Sequence, residues 1–198
     1  MVTLIYEPLG STQKSAMIWI ISVSPLLSGL GLLQLTLQSI PLVRHKSIAL
    51  ENADPVTSTT IQTQKDPQVP YKTLSYTWGP ETPSHVILVN GCEFTVRENL
   101  YGFLDFCRRR AWSYSLWVDQ ICINQNDVKE RNSQVSMMEE IYATAYETFV
   151  WLGYADEQSD RVMHWLISHD DKHDFSSSDL ESLWSRSYWS RLWIFQEL

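Results

Sequence analysis

No glycine-rich run of the kind that cradles phosphate occurs in these 198 residues, and only seven glycines occur at all. Kinase-like and dehydrogenase-like chemistry therefore has no support in the sequence. Cysteine is scarce as well. Cys92, Cys107 and Cys122 are odd in number, and their spacing fits no zinc site. They read as reduced, mostly buried thiols of an intracellular protein, so the expected location is cytoplasmic. No Asn-x-Ser/Thr site is present, which agrees with that location. Positive charge is in short supply: 15 Lys and Arg stand against 23 Asp and Glu, a net charge of -8. The one basic run, Arg108 to Arg110, falls at the end of an expected helix, where cations complement the helix dipole. Nucleic acid is not an expected partner.

Charge of either sign is missing from Ser15 to Val43. The stretch is long enough to reach across a bilayer. Three readings stand side by side. A membrane anchor would hold the rest of the chain in the cytosol, with Arg44 and Lys46 on that side. A signal peptide would have only Lys14 as its basic lead and lacks a convincing small-residue cleavage site. Translated intronic sequence is the third, because Pro25, Gly29 and Gly31 make a poor helix. Residues 1–46 thus form an N-terminal segment. Residues 47–69, polar and rich in Thr and Gln, read as a linker. Residues 70–198 form the domain.

What the chain has in quantity is apolar and aromatic surface: 44% hydrophobic residues and nine tryptophans. Tyr71 to Gly79 reads as a strand and turn with Leu74, Tyr76 and Trp78 on one face. Asn90-Gly91 separates two β-rich runs and predicts a tight hairpin, since both turn residues need positive φ. Glu98 to Arg109 reads as a helix with Leu100, Phe103, Leu104 and Cys107 inward, weakened by Gly102. Tyr114 to Val118 is a strand that runs into Asp119 and an amide-rich loop. Asp127 and Glu130 form an expected capping box for a helix from Glu130 to Tyr146. Val128, Val135, Met138, Tyr142 and Ala145 give that helix a core stripe, and Thr148 to Gly153 returns as a strand. This βαβ unit places the Asp119 loop at the carboxyl end of a parallel sheet, where α/β folds put ligands. Beyond Gly153 the chain is acidic. His169 to Asp174 reads as a solvated loop rather than a metal site, because Lys172 interrupts it.

Three blocks, Tyr71 to Gly79, Leu116 to Gly153 and Ser187 to Leu198, resemble the fungal heterokaryon incompatibility (HET) domain. The order of the blocks, the Val89-Asn90-Gly91 hairpin and the Asn99-Leu100 helix start match as well. The resemblance covers residues 70–198. HET domains are similar to TIR domains. That likeness implies a TIR-like, flavodoxin-like α/β fold: a parallel sheet with flanking helices, here with an inserted β-hairpin and a carboxyl-terminal truncation. Tyr188, Trp193, Glu197 and Leu198 hold the positions of a TIR-like pattern whose Glu is catalytic in NAD-cleaving members.

The resemblance implies non-self recognition and incompatibility cell death. NAD is the candidate substrate, and no cofactor is required. Cleaving its N-glycosidic bond passes through an oxocarbenium-like ribosyl centre, which the Glu197 carboxylate would stabilise. Trp78 or Trp117 would stack on nicotinamide or adenine beside the Gly79 turn, and Asp119 would accept a ribose hydroxyl. Against these roles stand plainer ones: Trp117 in the sheet core, Trp193 packing its helix, Glu197 in solvent. The expected partner is a second copy or another incompatibility protein. A non-enzymatic homotypic adaptor is the alternative function, and an inactive truncated remnant a further one.

Overall fold

The computed structural model describes residues 5, 6, 9, 16–42, 70–168 and 176–191. The uncharged segment forms strands β1 (Ala16–Val23) and β2 (Gln34–Leu42). They pair antiparallel from Ala16↔Leu42 to Val23↔Leu35. This corrects the anchor reading of 15–43. Pro25, Gly29 and Gly31 cluster where a spanning helix would need its middle, and Gly31 takes φ 76° in the turn. The flanks are rich in Ile and alternating Leu, which suit a pleated surface. Along β2, Leu35, Leu37, Ile40 and Leu42 are buried while Thr36, Gln38, Ser39 and Pro41 face out. Among the described residues no helix is long and apolar enough to cross a membrane.

Strand β3 (Tyr71–Tyr76) is buried at all six positions. Strands β4 (Ser84–Val89) and β5 (Cys92–Arg97) form the expected hairpin, with Asn90 and Gly91 at φ 50° and 79°. Helix α1 (Glu98–Arg109) buries Leu100, Phe103, Leu104 and Cys107, as its stripe predicts. Strand β6 (Ser115–Trp117) leads into a single helical turn, α2 (Asp119–Cys122), where the sequence reading had only loop.

The helix expected over Glu130–Tyr146 is two helices, α3 (Val128–Ser136) and α4 (Met138–Thr144), broken at Met137. The break shifts the buried face. Met138 and Tyr142 stay in the core, but Val128 and Val135 are exposed and Gln134 is buried instead. Gln134 Nε2 donates to Met17 O of β1 at 3.0 Å. The capping box is half formed. Asp127 Oδ1 accepts from Lys129 N and Glu130 N, but Glu130 Oε1 accepts from Asn124 N and so braces the loop instead.

Strand β7 (Thr148–Trp151) follows, then helices α5 (Glu157–Ser168) and α6 (Ser177–Trp184) and a 3-10 turn at Ser187–Ser190. Neither α5 nor α6 was anticipated from sequence. The complete capping box between Ser176 and Asp179 starts α6, and Arg161 of α5 pairs with Asp179. The His169 to Asp174 stretch, the 47–69 linker and Arg44 and Lys46 lie outside the described residues.

Among the described residues, seven strands make one sheet in the order β5-β4-β2-β1-β6-β3-β7. The fold class is α/β, as expected, but the sheet is mixed rather than parallel. Strand β3 pairs parallel with both β6 and β7, whereas β1 pairs antiparallel with β6 and β5 antiparallel with β4. Strands β3, β6 and β7 therefore finish at one end of the sheet, and the β1–β2 turn lies at the other. Ile18, Ile20 and Ile21 of β1 are fully buried. Each such side chain contributes roughly 1.5–3 kcal/mol of burial. The segment that looked like an addition is part of the core.

Candidate functional site at the carboxyl edge of the sheet

Where β3 ends, Gly79 at φ 72° turns the chain and leaves Trp78 half-buried beside the end of β6. Trp78 Nε1 donates to Asp119 Oδ2 at 2.7 Å, and Gln120 N donates to Asp119 Oδ1 at 2.7 Å. Both carboxylate oxygens thus hold a hydrogen bond. Gln125 Nε2 donates to Asp119 O at 3.2 Å, which ties the amide-rich loop to the same residue. Burial pushes the Asp119 carboxyl above the ordinary carboxylate value. The bonds from Trp78, Tyr76 and the Gln120 amide and the nearby charge of Arg191 oppose that push without cancelling it. The Tyr76 hydroxyl, fully enclosed beside that carboxylate, is also driven well upward, first by burial and then by Asp119.

A second layer surrounds these residues, and the sequence reading had noted only Asn99 and Tyr188 of its side chains. Arg97 Nη1 donates to Gly79 O at 2.6 Å, and its guanidinium lies 5.3 Å from the Trp78 ring centre. Asn99, in the first turn of α1, donates from Nδ2 to Thr77 O at 2.6 Å and accepts from Trp151 Nε1 at 2.9 Å. One amide side chain thereby links the ends of β3 and β7. Gly153, at φ 101°, turns the chain after β7. Arg186 clamps that turn, with Nη1 donating to Leu152 O and Tyr154 O and Nη2 paired with Asp156 at 2.7 Å. Arg191 Nη1 donates to Ser75 Oγ at 3.1 Å, and Ser75 Oγ lies 2.7 Å from the Tyr188 hydroxyl. The 3-10 turn is thus fastened to β3, the strand between β6 and β7.

Of the residues singled out from sequence, Trp78, Gly79 and Asp119 come together at this edge. Trp117 does not join them. It is fully buried in β6, with its ring edge-on to Tyr142 at 5.6 Å, and its core role is the one realised. Glu197, Trp193 and Leu198 lie outside the described residues. Among the described residues, no group of three or more His, Cys, Asp or Glu side chains is placed to hold a metal ion. The one available signal for Asn99 was its position at the start of α1, and Arg97, Trp151 and Arg186 carried none.

The segment that builds this edge is also the one that has relatives. A family model described as heterokaryon incompatibility protein (HET) matches residues 71–197, and the chain belongs to that family. Heterokaryon incompatibility protein 6, OR allele, of Neurospora crassa is 40% identical over 110 residues, which is 49% of this chain and 16% of that protein. Vegetative incompatibility protein HET-E-1 of Podospora anserina is 33% identical over 88 residues, 42% of this chain and 6% of that protein. The chain therefore spans only a small part of the length of either relative. No solved structure matches. Strands β1 and β2, residues 16–42, precede the matched stretch although they sit inside the sheet.

Proposed function

We propose that this chain is a cytoplasmic signalling domain of heterokaryon incompatibility, acting in fungal non-self recognition and the cell death that follows. Family membership over residues 71–197 and two relatives named for incompatibility support that reading. The finer mechanism is TIR-like: self-association with a second copy or another incompatibility protein assembles a site that cleaves NAD. The observation that carries it is the gathering of Trp78, Gly79 and Asp119 where β3 and β6 end, the position at which α/β sheets bind ligands. Asp119 would then accept a ribose hydroxyl bond, and Glu197 would stabilise the developing positive charge on the ribosyl centre.

A homotypic adaptor without enzyme activity is the second reading. Two observations favour it: both Asp119 oxygens already take hydrogen bonds from the protein, and Trp117 is sealed in the core. The two readings part on a direct assay of NAD turnover by the purified full chain. In the enzymatic reading the chain consumes NAD, and Glu197→Ala abolishes both turnover and toxicity in an expressing fungus. Toxicity that survives Glu197→Ala with no NAD loss in either protein would leave the adaptor standing and sink the enzyme.

A further inference from the structure

Strands β1 and β2 sit between β6 and β4. Both flanking strands lie in the stretch matched by the HET family, while the hairpin precedes it. The matched stretch by itself would therefore present two unpaired strand edges, facing each other across a gap two strands wide. Donors and acceptors along such edges pair readily with another strand. The hairpin meets them, and it is built as a unit. Its own strands pair from Ala16↔Leu42 to Val23↔Leu35. Its ladder to β6 is only Ile21↔Leu116, and its ladder to β4 only Gln34↔Leu88 and Leu35↔Val89.

Side-chain amides of the matched stretch also grip it. Asn90, in the β4–β5 turn, accepts from Leu37 N at 2.9 Å and donates to Leu37 O at 3.0 Å. Gln134 of α3 donates to Met17 O. These bonds take hold of the hairpin's main chain, and burial adds the rest: Ile18, Ile20, Ile21 and Leu33 are fully buried, and Leu35, Leu37 and Leu42 nearly so. No contact in this set depends on which chain the hairpin comes from. The hairpin is joined to its own β3 by residues 43–70, a length that reaches on the order of 90 Å at full extension. That is enough to seat it in a neighbouring molecule.

We propose that the hairpin is an exchangeable element whose partner is a second copy of this chain: β1 and β2 of one copy fill the gap between β4 and β6 of another. The occupant is set by fit, since the register and the buried faces that match this gap are the hairpin's own. Exchange of an identical element keeps the contacts of the closed chain, which makes it a low-cost route to a dimer. What differs is the tether, which presents the hairpin to its own gap at an effective concentration on the order of millimolar. Dilute chains therefore keep their own hairpins, and chains gathered to that local concentration exchange them. A hairpin seated from outside also holds Gln134 through Met17 O, so each copy braces the helix after its host's Asp119 loop. The inference rests on the self-association part of the function proposed above and gives it a structural route.

The test uses the full chain in a Cys92→Ser background, which removes the partly exposed native thiol. Gln34 and Leu88 are direct partners across β2 and β4, so a chain carrying both Gln34→Cys and Leu88→Cys closes a disulfide within itself on brief oxidation in dilute solution. Chains carrying one substitution each are then mixed, held at each concentration and oxidised. The expected product is a disulfide-linked heterodimer of the two single variants. Its share rises roughly tenfold or more as the mixture goes from about 10 µM to about 1 mM. Ile21→Cys with Leu116→Cys repeats the measurement on the β1–β6 side. A double variant that closes, with no heterodimer from the mixed single variants at about 1 mM, overturns the proposal. Self-linking of a single variant as strong as the mixed product also overturns it, because that marks surface contact between copies and not exchange. Failure of both double variants to close removes the hairpin's seat, and the proposal with it. None of these readouts uses NAD turnover or toxicity, so the enzymatic reading stands or falls separately.

Discussion

The two ends of the sheet are built on opposite principles. At the carboxyl edge, Trp78, Asp119, Arg97, Asn99, Trp151 and Arg186 are wired to one another and to strand-end carbonyls by hydrogen bonds. At the other end, the β1–β2 turn carries the exposed leucines Leu26, Leu27 and Leu30 and bonds within its own hairpin, with Ser28 Oγ accepting from Leu32 N. The first end falls within the stretch matched by the HET family, and the second precedes it. Yet the hairpin behind the apolar turn supplies two of the three strands in the middle of the sheet, β2, β1 and β6. Matching a family and holding the core are separate properties here. Hydrogen bonds at the edge fix geometry, while the hairpin supplies stability through area removed from water.

The sharpest way to break this comparison is to open the hairpin's core. Ile20 is fully buried. Ile20→Ala is expected to cost about 2–5 kcal/mol in urea-induced unfolding, the largest effect of the set. A loss below about 1 kcal/mol would mean that the hairpin is a dispensable addition.

The carboxyl edge should respond less in stability and more in pH dependence. Trp78→Phe removes the Nε1 donor and is expected to cost about 1–3 kcal/mol, with most of that loss absent in an Asp119→Asn background. Additive losses in the double-mutant cycle would show that the bond does not couple the two residues. The pH dependence has a defined sign. Burial raises the folded-state Asp119 carboxyl above its ordinary value of 3.8, so the folded protein holds this proton at a pH where the unfolded chain has lost it. Over that window the Asp119 contribution to stability falls as pH rises and returns as pH drops. Wild type should therefore gain on Asp119→Asn as pH is lowered from neutral toward 4, as read from paired urea midpoints. A difference that does not change with pH would remove the desolvated carboxylate from the picture.

The smallest effect is expected at Gly102→Ala. An added Cβ would lie 2.5 Å from the Tyr154 hydroxyl oxygen, too close to stand. Tyr154 is 55% exposed, so its ring can swing aside at the cost of its 3.3 Å bond to Glu98. Helix propensity returns roughly 1 kcal/mol, and the net change should fall within about 1 kcal/mol of zero. A larger loss in urea unfolding would show that the Gly153 turn is fixed by this contact and belongs with the rigid edge.

Much of the local structure was legible in the sequence for identifiable reasons. Asn90-Gly91 specified the hairpin because both positions require positive φ. The spacing of Leu100, Phe103, Leu104 and Cys107 specified α1 and its buried face. Tyr71 to Gly79 and Leu116 to Asp127 marked the strand ends that carry Trp78, Gly79 and Asp119, and with them the family. What failed were readings that depended on distant parts of the chain. An uncharged stretch of this length suits a bilayer or a protein interior equally, because both are apolar. The neighbours β4 and β6, far along the sequence, made it a pair of inner strands. Glu130 had the right spacing for a capping box, but a loop amide at Asn124 competed for its carboxylate. Arg97, Asn99, Trp151 and Arg186 have no sequence pattern in common. They meet only because parallel pairing of β3 with β6 and β7 ends three strands at one level and brings the start of α1 beside them. The sequence by itself determined the β4–β5 turn, helix α1 and the strand ends that carry Trp78 and Asp119, since those follow from backbone sterics and local periodicity. Tertiary structure alone decided which apolar segment is core and which side chains share a site, since burial and hydrogen bonding depend on residues that only folding brings together.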